Sequence, residues 1–336
     1  MRFDKFSLIL VSTIILSSCA STSTSSSNIP EIPIETNVLS GREGSNGPVL
    51  VVKVDDTNMA HPQIGVEDAD VVYIEQVEGG LTRLAAVFSS KIPVEIGPVR
   101  SARISDIEIL SQYGRVAFAY SGAQKKLLPV IAEANLQNLG AQTQSSLIYT
   151  RDSTRVSPYS LVLRADLLMA KIVEKQYDVV QAQSVGWKFG NAPIGGVDVT
   201  SVSFRWPATG YQANWSQSEK CWKLIHNSQP NVVQSGKQLC PSTVILQKVS
   251  ITNSEYHDKL GNYTPFSNTV GTGPGYILRD GKSFAGTWTR ENMESGTTWT
   301  SSDGQEILMS PGQVWVALLQ NDPEFITASA SPSPTK

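Results

Sequence analysis

The chain has 336 residues, enough for two domains with separate cores, and its 40% apolar content with seven Trp, ten Tyr and nine Phe suits an ordered globular protein. A formal net charge of −3 provides no basic field, which argues against nucleic acid as a partner. Three cysteines are too few for a disulfide-dense scaffold.

In chain order, Arg2 and Lys5 precede an apolar run from Phe6 to Leu16, the charge and hydropathy layout of a secretory signal. The run falls well short of the roughly 20 residues a spanning helix needs. Leu16-Ser17-Ser18-Cys19 resembles the bacterial lipobox, in which a Cys following small residues receives diacylglycerol; an ordinary signal with an incidental Cys is the alternative. Residues 1–18 then form a lipoprotein signal peptide and 19–46 a flexible Ser/Pro/Gly-rich tether. Loss of Arg2, Asp4 and Lys5 removes a net +1 and leaves −4, so acyl chains on Cys19, and not electrostatics, would hold the protein at the extracytoplasmic face of the cell membrane. In that oxidising space Cys221 and Cys240 are expected to pair as a disulfide in preference to remaining free thiols.

From Pro48 the pattern becomes regular. PVLVVKV, DVVYIEQV (70–77) and TRLAAVFS (82–89) read as strands, with Glu78-Gly79-Gly80 turning a hairpin between the last two. ISDIEILSQYG spaces Ile104, Ile107, Leu110 and Tyr113 as an amphipathic helix, and Ser105 with Glu108 fits a capping box. VAFAY (116–120) reads as a buried strand, AQKKLLPVIAEAN as a helix that Pro129 would kink, and 161–175 as a third helix. Residues 47–185 are therefore expected to be an α/β domain. Beyond Gly186 only short alternating runs remain, which predicts an all-β, sandwich or barrel-like C-terminal domain over 190–322. The Ser/Pro-rich end, 323–336, is expected to be a disordered tail.

The stretch IGPVRSAR sets Arg100 and Arg103 in the turn entering a helix, where free N–H groups favour an anion. Two readings follow. The arginines hold an anionic ligand, or they pair with Asp55, Asp56, Glu75, Glu78 and Asp106 of their own domain. His61, His226 and His257 lie scattered without metal-ligand spacing, so neither metal nor cofactor is expected. TVGTGPG (269–275) lacks the helix a phosphate loop needs and reads as a β-turn region. All seven tryptophans lie beyond residue 186, most of them expected in the core and one or two on a surface.

The run KVDDTNMAHPQIGVEDADVVYIEQVEGGLTRLAAVFSS with IGPVRSAR, and downstream VGTGPGYILRDGKSFAGTW with EILMSPGQVWVAL, resembles the YerB-like family of bacterial lipoproteins, whose domain is labelled DUF3048. The resemblance covers about residues 40–320 and falls on Asp55, Pro62, Gly65, Asp70, Glu78, Gly79, Thr82, Arg83, Arg100, Ser101 and Arg103. It implies lipid anchoring and two domains, with no catalytic role for any of these residues. One departure stands out: Ser157-Pro158-Tyr159-Ser160 replaces a Pro-His-Asn segment, which removes a histidine that chemistry could have used.

These observations together predict a binding or regulatory module of the cell envelope. Arg83, Arg100, Ser101, Arg103, Asp55 and Glu78 form its ligand site, and a cell-wall fragment or envelope protein is its partner. The alternative is an envelope hydrolase or transferase in which Asp55 or Glu78 acts as general base.

Overall fold

The structure is a computed structural model that describes residues 35–258 and 260–327. The signal peptide, Cys19, residues 20–34 of the expected tether and residues 328–336 of the expected tail lie outside the described residues. Both expectations are corrected at their inner ends: within 35–46 Asn37, Leu39 and Ser40 are buried against the fold, and Glu324–Thr327 is not a disordered tail but a strand paired with residues 199–203. The first segment contains β1 (Leu50–Asp55), β2 (Val71–Gln76), β3 (Thr82–Phe88), β4 (Glu95–Ile96), α1 (Ile104–Ser111), β5 (Val116–Ala119), α2 (Leu127–Glu133), β6 (Leu136–Asn138), β7 (Tyr149–Arg151), β8 (Leu161–Arg164) and α3 (Ala165–Glu174). Strands alone follow: β9 (Val197–Arg205), β10 (Gly210–Ser216), β11 (Cys221–His226), β12 (Gln229–Pro230), β13 (Thr243–Lys248), β14 (Ser250–His257), β15 (Tyr263–Asn268), β16 (Gly271–Arg279), β17 (Lys282–Arg290), β18 (Thr298–Thr300), β19 (Val314–Leu319) and β20 (Glu324–Thr327).

Hydrogen bonding joins both segments into one large mixed sheet, ordered β12-β11-β10-β9-β17-β16-β13-β19-β2-β3-β1-β5-β6. The junction is β19, which runs parallel to β13 on one side and to β2 on the other. A strand enclosed this way is covered on both faces, and all six residues of VWVALL are buried. The predicted hairpin forms as read, with Gln76 opposite Thr82 and Val71 opposite Val87.

Side chains alternate across the sheet, so each face has its own core. Leu50, Val52 and Val54 of β1 enter one core, which also holds Trp206, Tyr211 and Trp315. Val51, with Tyr73 of β2 and Ala85 of β3, enters the other, beneath Ile109 and Leu110 of α1. Each large aliphatic side chain buried this way contributes about 1.5–3 kcal/mol.

Four expectations about local structure are corrected. The backbone N–H that caps α1 belongs to Arg103, which donates to Asp106 Oδ2 at 2.7 Å, so the helix starts earlier than the Ser105–Glu108 pattern implied. Ser105 and Glu108 instead reach the C-terminal segment: Ser105 Oγ accepts from Ser267 N, and Glu108 Oε1 accepts from Thr269 and Val270 N. Pro129 occupies the first turn of α2, where its missing N–H has no intrahelical partner to lose, and the helix runs on unbroken. The helical period over 161–175 conceals a strand, because Leu161–Leu163 pair with Tyr149–Arg151 before α3 begins.

Gly271–Gly275 is likewise strand and not turn, forming the first half of β16 opposite β17. Its glycines admit aromatic rings: a Cβ on Gly273 would meet Trp288 at 2.8 Å and one on Gly275 would meet Trp299 at 2.7 Å. Six tryptophans are buried, and Trp215, half-buried, packs on Trp222 with ring centroids 5.2 Å apart. Cys221 and Cys240 form the expected disulfide at 2.06 Å. Closing a loop of that length contributes about 3 kcal/mol in the chain-entropy account.

Candidate functional site

Alternation places Lys53 and Asp55 of β1, Glu75 of β2 and Arg83 of β3 on the face that α1 covers, all at the same end of their strands. The register sets Arg83 opposite Asp55 on one side and Glu75 on the other. Toward the far end the same face is apolar, with Val51, Val71 and Val87. The result is a charged cluster walled by a hydrophobic core, into which the start of α1 adds Arg103 and Asp106.

At the bottom, Lys53 Nζ donates to Glu75 Oε1 and, at 2.7 Å, to Asp106 Oδ1; all three side chains are fully buried. One ammonium thus faces two carboxylates. Burial and the Asp106 charge push the Glu75 carboxyl up to about 7, against the pull of Lys53.

The arginines form the upper layer. Arg100 is held by its own backbone N–H, which donates to Lys53 O, and its Nε donates to Asp55 Oδ2. Its guanidinium carbon stands 5.9 Å from the ring centroid of Tyr159. Arg103 donates from Nε and Nη2 to Glu78 Oε2 at 2.8 and 2.7 Å. Arg83 differs from both. Its Nη1 donates to the Ser101 carbonyl at 2.7 Å, and among the described residues no carboxylate pairs with it. Burial first, then the charges of Arg103 and Arg100, lower its pKa to about 9.

Both predicted carboxylates are fully engaged. Asp55 Oδ1 accepts from Thr57 N and Oγ1, while Oδ2 takes Arg100. Glu78 Oε2 takes Arg103 and Oε1 takes Thr264 Oγ1 of β15, so this acid bridges the two segments. Burial pushes Glu78 up, but the Arg103 charge and hydrogen bonds outweigh it and hold the carboxyl below its ordinary value. Every residue of the predicted site, Arg83, Arg100, Ser101, Arg103, Asp55 and Glu78, therefore lies in one cluster, with internal ion pairs for Arg100 and Arg103.

Sequence reasoning missed Lys53 and Tyr159. Lys53 was legible in principle as the one charge inside the apolar run PVLVVKV. A second convergence, Asp56 with His61 and His226, was read as scattered because the histidines lie in different segments.

The family model described as "Protein of unknown function (DUF3048) N-terminal domain" matches residues 36–178, and its C-terminal counterpart matches 201–316. The chain carries both DUF3048 domains. A Bacillus subtilis (strain 168) protein described as "Putative lipoprotein YerB" is 24% identical over 291 residues, covering 84% of this chain and 83% of the relative. The crystal structure of YerB from Bacillus subtilis has the same fold, with a TM-score of 0.75 at 17% identity, over 86% of this chain and 99% of that one.

Within the DUF3048 N-terminal domain two motif residues outside the arginine cluster, Asp70 and Thr82, act as ties. Asp70, fully buried, accepts from Ser40 Oγ, Ser89 N, Ser90 N and Ser90 Oγ, and lies 3.3 Å from Arg42 Nε. Thr82 Oγ1 donates to Asp56 Oδ2 at 2.6 Å. Among the described residues no helix is long and apolar enough to cross a membrane.

Proposed function

We propose that this chain is an extracytoplasmic lipoprotein, anchored through Cys19, that acts as an envelope binding module and recognises an anionic group through Arg83, Arg100 and Arg103. The observation that carries this reading is the unbalanced charge of the upper layer. Three guanidinium groups share two carboxylates, and the one without a carboxylate, Arg83, has its pKa lowered first by burial and then by the charges of Arg103 and Arg100. An anion placed among them would relieve that repulsion and accept their remaining N–H donors. The description of the Bacillus relative as a lipoprotein supports the anchor.

A general-base role for Asp55 or Glu78 has less support. A base must accept a proton readily near neutral pH, and both carboxylates already accept hydrogen bonds on each oxygen. Holding Glu78 below its ordinary value weakens it further as a base.

Two experiments test the reading. In membrane fractionation the wild-type chain is expected in the membrane pellet and Cys19→Ser in the soluble fraction; a Cys19→Ser chain that stays with the membrane refutes the anchor. For the site, thermal melts against inorganic phosphate and peptidoglycan fragments with free stem carboxylates are compared with Arg100→Ala/Arg103→Ala. A ligand at about 100 times its Kd stabilises the wild type by about 2.7 kcal/mol. That shift should vanish in the double variant, shown to be folded by circular dichroism. If no probe shifts the wild type and the variant simply melts earlier, the arginines are internal braces.

A further inference from the structure

The loop after β1 and the end of β11 meet in a buried polar site that the arginine cluster does not use. Asp56 follows β1, His61 lies five residues on, and His226 ends β11. Their side chains are 0%, 16% and 4% exposed. His61 Nε2 stands 3.4 Å from Asp56 Oδ1 and His226 Nε2 stands 3.8 Å from Asp56 Oδ2, with the two imidazoles stacked at 4.3 Å between centroids. All three donor atoms lie within 4.8 Å of one another.

Neither Nε2 has a hydrogen-bond partner, although both are buried. Orphaned ring nitrogens aimed at a buried carboxylate need an explanation, since such groups are nearly always satisfied. The separations are too long for charge-assisted hydrogen bonds, which run about 2.7–2.9 Å. The 3.4 Å separation at His61 equals the roughly 3.4 Å spacing of donors held about 2.0–2.1 Å from a tetrahedral ion, and the 3.8 Å at His226, measured to the other carboxylate oxygen, is slightly wider.

We propose that Asp56, His61 and His226 bind one divalent transition-metal ion of the zinc class, which clips the loop after β1 to β11. Two imidazoles and one carboxylate form a donor set suited to zinc and its neighbours; calcium and magnesium prefer all-oxygen shells. The carboxylate is oriented for the task from behind. Oδ1 accepts from Tyr211 Oη at 2.7 Å and from Gln63 Nε2 at 3.3 Å, while Oδ2 accepts from Thr82 Oγ1. Such outer-shell bonds fix ligand geometry in metal sites. The other His/Cys/acid convergence among the described residues, Glu219 with Cys221 and Cys240, lacks this capacity because its sulfurs are joined to each other.

The test is equilibrium dialysis of the purified full-length chain in detergent, stripped with chelator and exposed to Zn2+. One tightly bound ion per chain is expected. His61→Ala and His226→Ala should each weaken binding roughly 100-fold or more, whereas His257→Ala, an exposed histidine outside the site, should leave it unchanged. Absence of a 1:1 ion in the wild type, or wild-type affinity in folded His226→Ala, overturns the proposal. If the alanine variants do not fold, Co2+ added to the wild type decides: intense visible bands of a four-coordinate ion support the site, and the pale spectrum of a six-coordinate ion rejects it. Retention of the ion by Arg100→Ala/Arg103→Ala would separate this site from the anion reading.

Discussion

Replacing Lys53 with methionine is expected to lower stability by ~3–5 kcal/mol at pH 8, and by clearly less at pH 5. The substitution nearly preserves volume, so the loss is electrostatic: Glu75 and Asp106 would be left buried without their cation. The pH dependence follows from Glu75. Its carboxyl rises from the usual 4.5 to about 7 in the folded protein, so the folded state holds that proton more tightly than the unfolded state does. The contribution is fully present below about pH 4.5 and is lost as pH rises through 7. Without Lys53 the two carboxylates lose the group that tolerates their ionisation, and the variant should suffer most where both are charged. Urea denaturation at the two pH values measures this. An equal deficit at pH 5 and pH 8 would mean that Lys53 acts by packing and not by charge.

Arg290→Met should cost about 4 kcal/mol. Arg290 is fully buried at the end of β17, where Nε donates to Ser295 O at 3.0 Å and Nη1 to Thr269 Oγ1 at 2.8 Å. Nη2 donates to Glu108 O at 2.7 Å and to Met293 O. Methionine fills much of the space but leaves four acceptors unsatisfied, at about 1 kcal/mol or more each. Because Glu108 belongs to α1 and Thr269 follows β15, the same side chain ties the helix above the candidate site to the C-terminal segment. Arg290→Lys should rescue little, since one ammonium cannot reach the four directions of the guanidinium fork. Chemical denaturation of both variants is the check; a loss below ~1 kcal/mol for methionine would show that the loops close over the gap.

Local patterns were legible where a few neighbouring residues decide the outcome. Glu78-Gly79-Gly80 between two β-branched runs predicted the hairpin, the spacing of Ile107 and Leu110 predicted α1, and the compartment implied by the N-terminus predicted the disulfide. Patterns failed where partners come from far away. Leu161–Leu163 fits a helical period, yet pairing with Tyr149–Arg151 makes it a strand. Ser105 and Glu108 look like a cap because their true partners, Ser267 and Thr269, lie about 160 residues downstream. The candidate site was half visible: its arginines and acids were named from IGPVRSAR and its surroundings, and the second reading made there, pairing with internal acids, describes Arg100 and Arg103 in the structure. The cation beneath them and the two histidines converging on Asp56 depend on strand register and on contact between segments, neither of which a linear pattern encodes.

The position of β19 has a consequence for biosynthesis. Val71 of β2 lies beside Val314, roughly 240 residues later in the chain. At about 5–20 residues per second, a growing polypeptide makes the β2–β3 hairpin and then waits roughly ten to fifty seconds before its neighbour exists. Throughout that interval β2 presents a bare apolar edge, the kind of surface that pairs with other nascent chains. Assembly of the central sheet is thus a late event that completes only when the far end of the polypeptide has emerged.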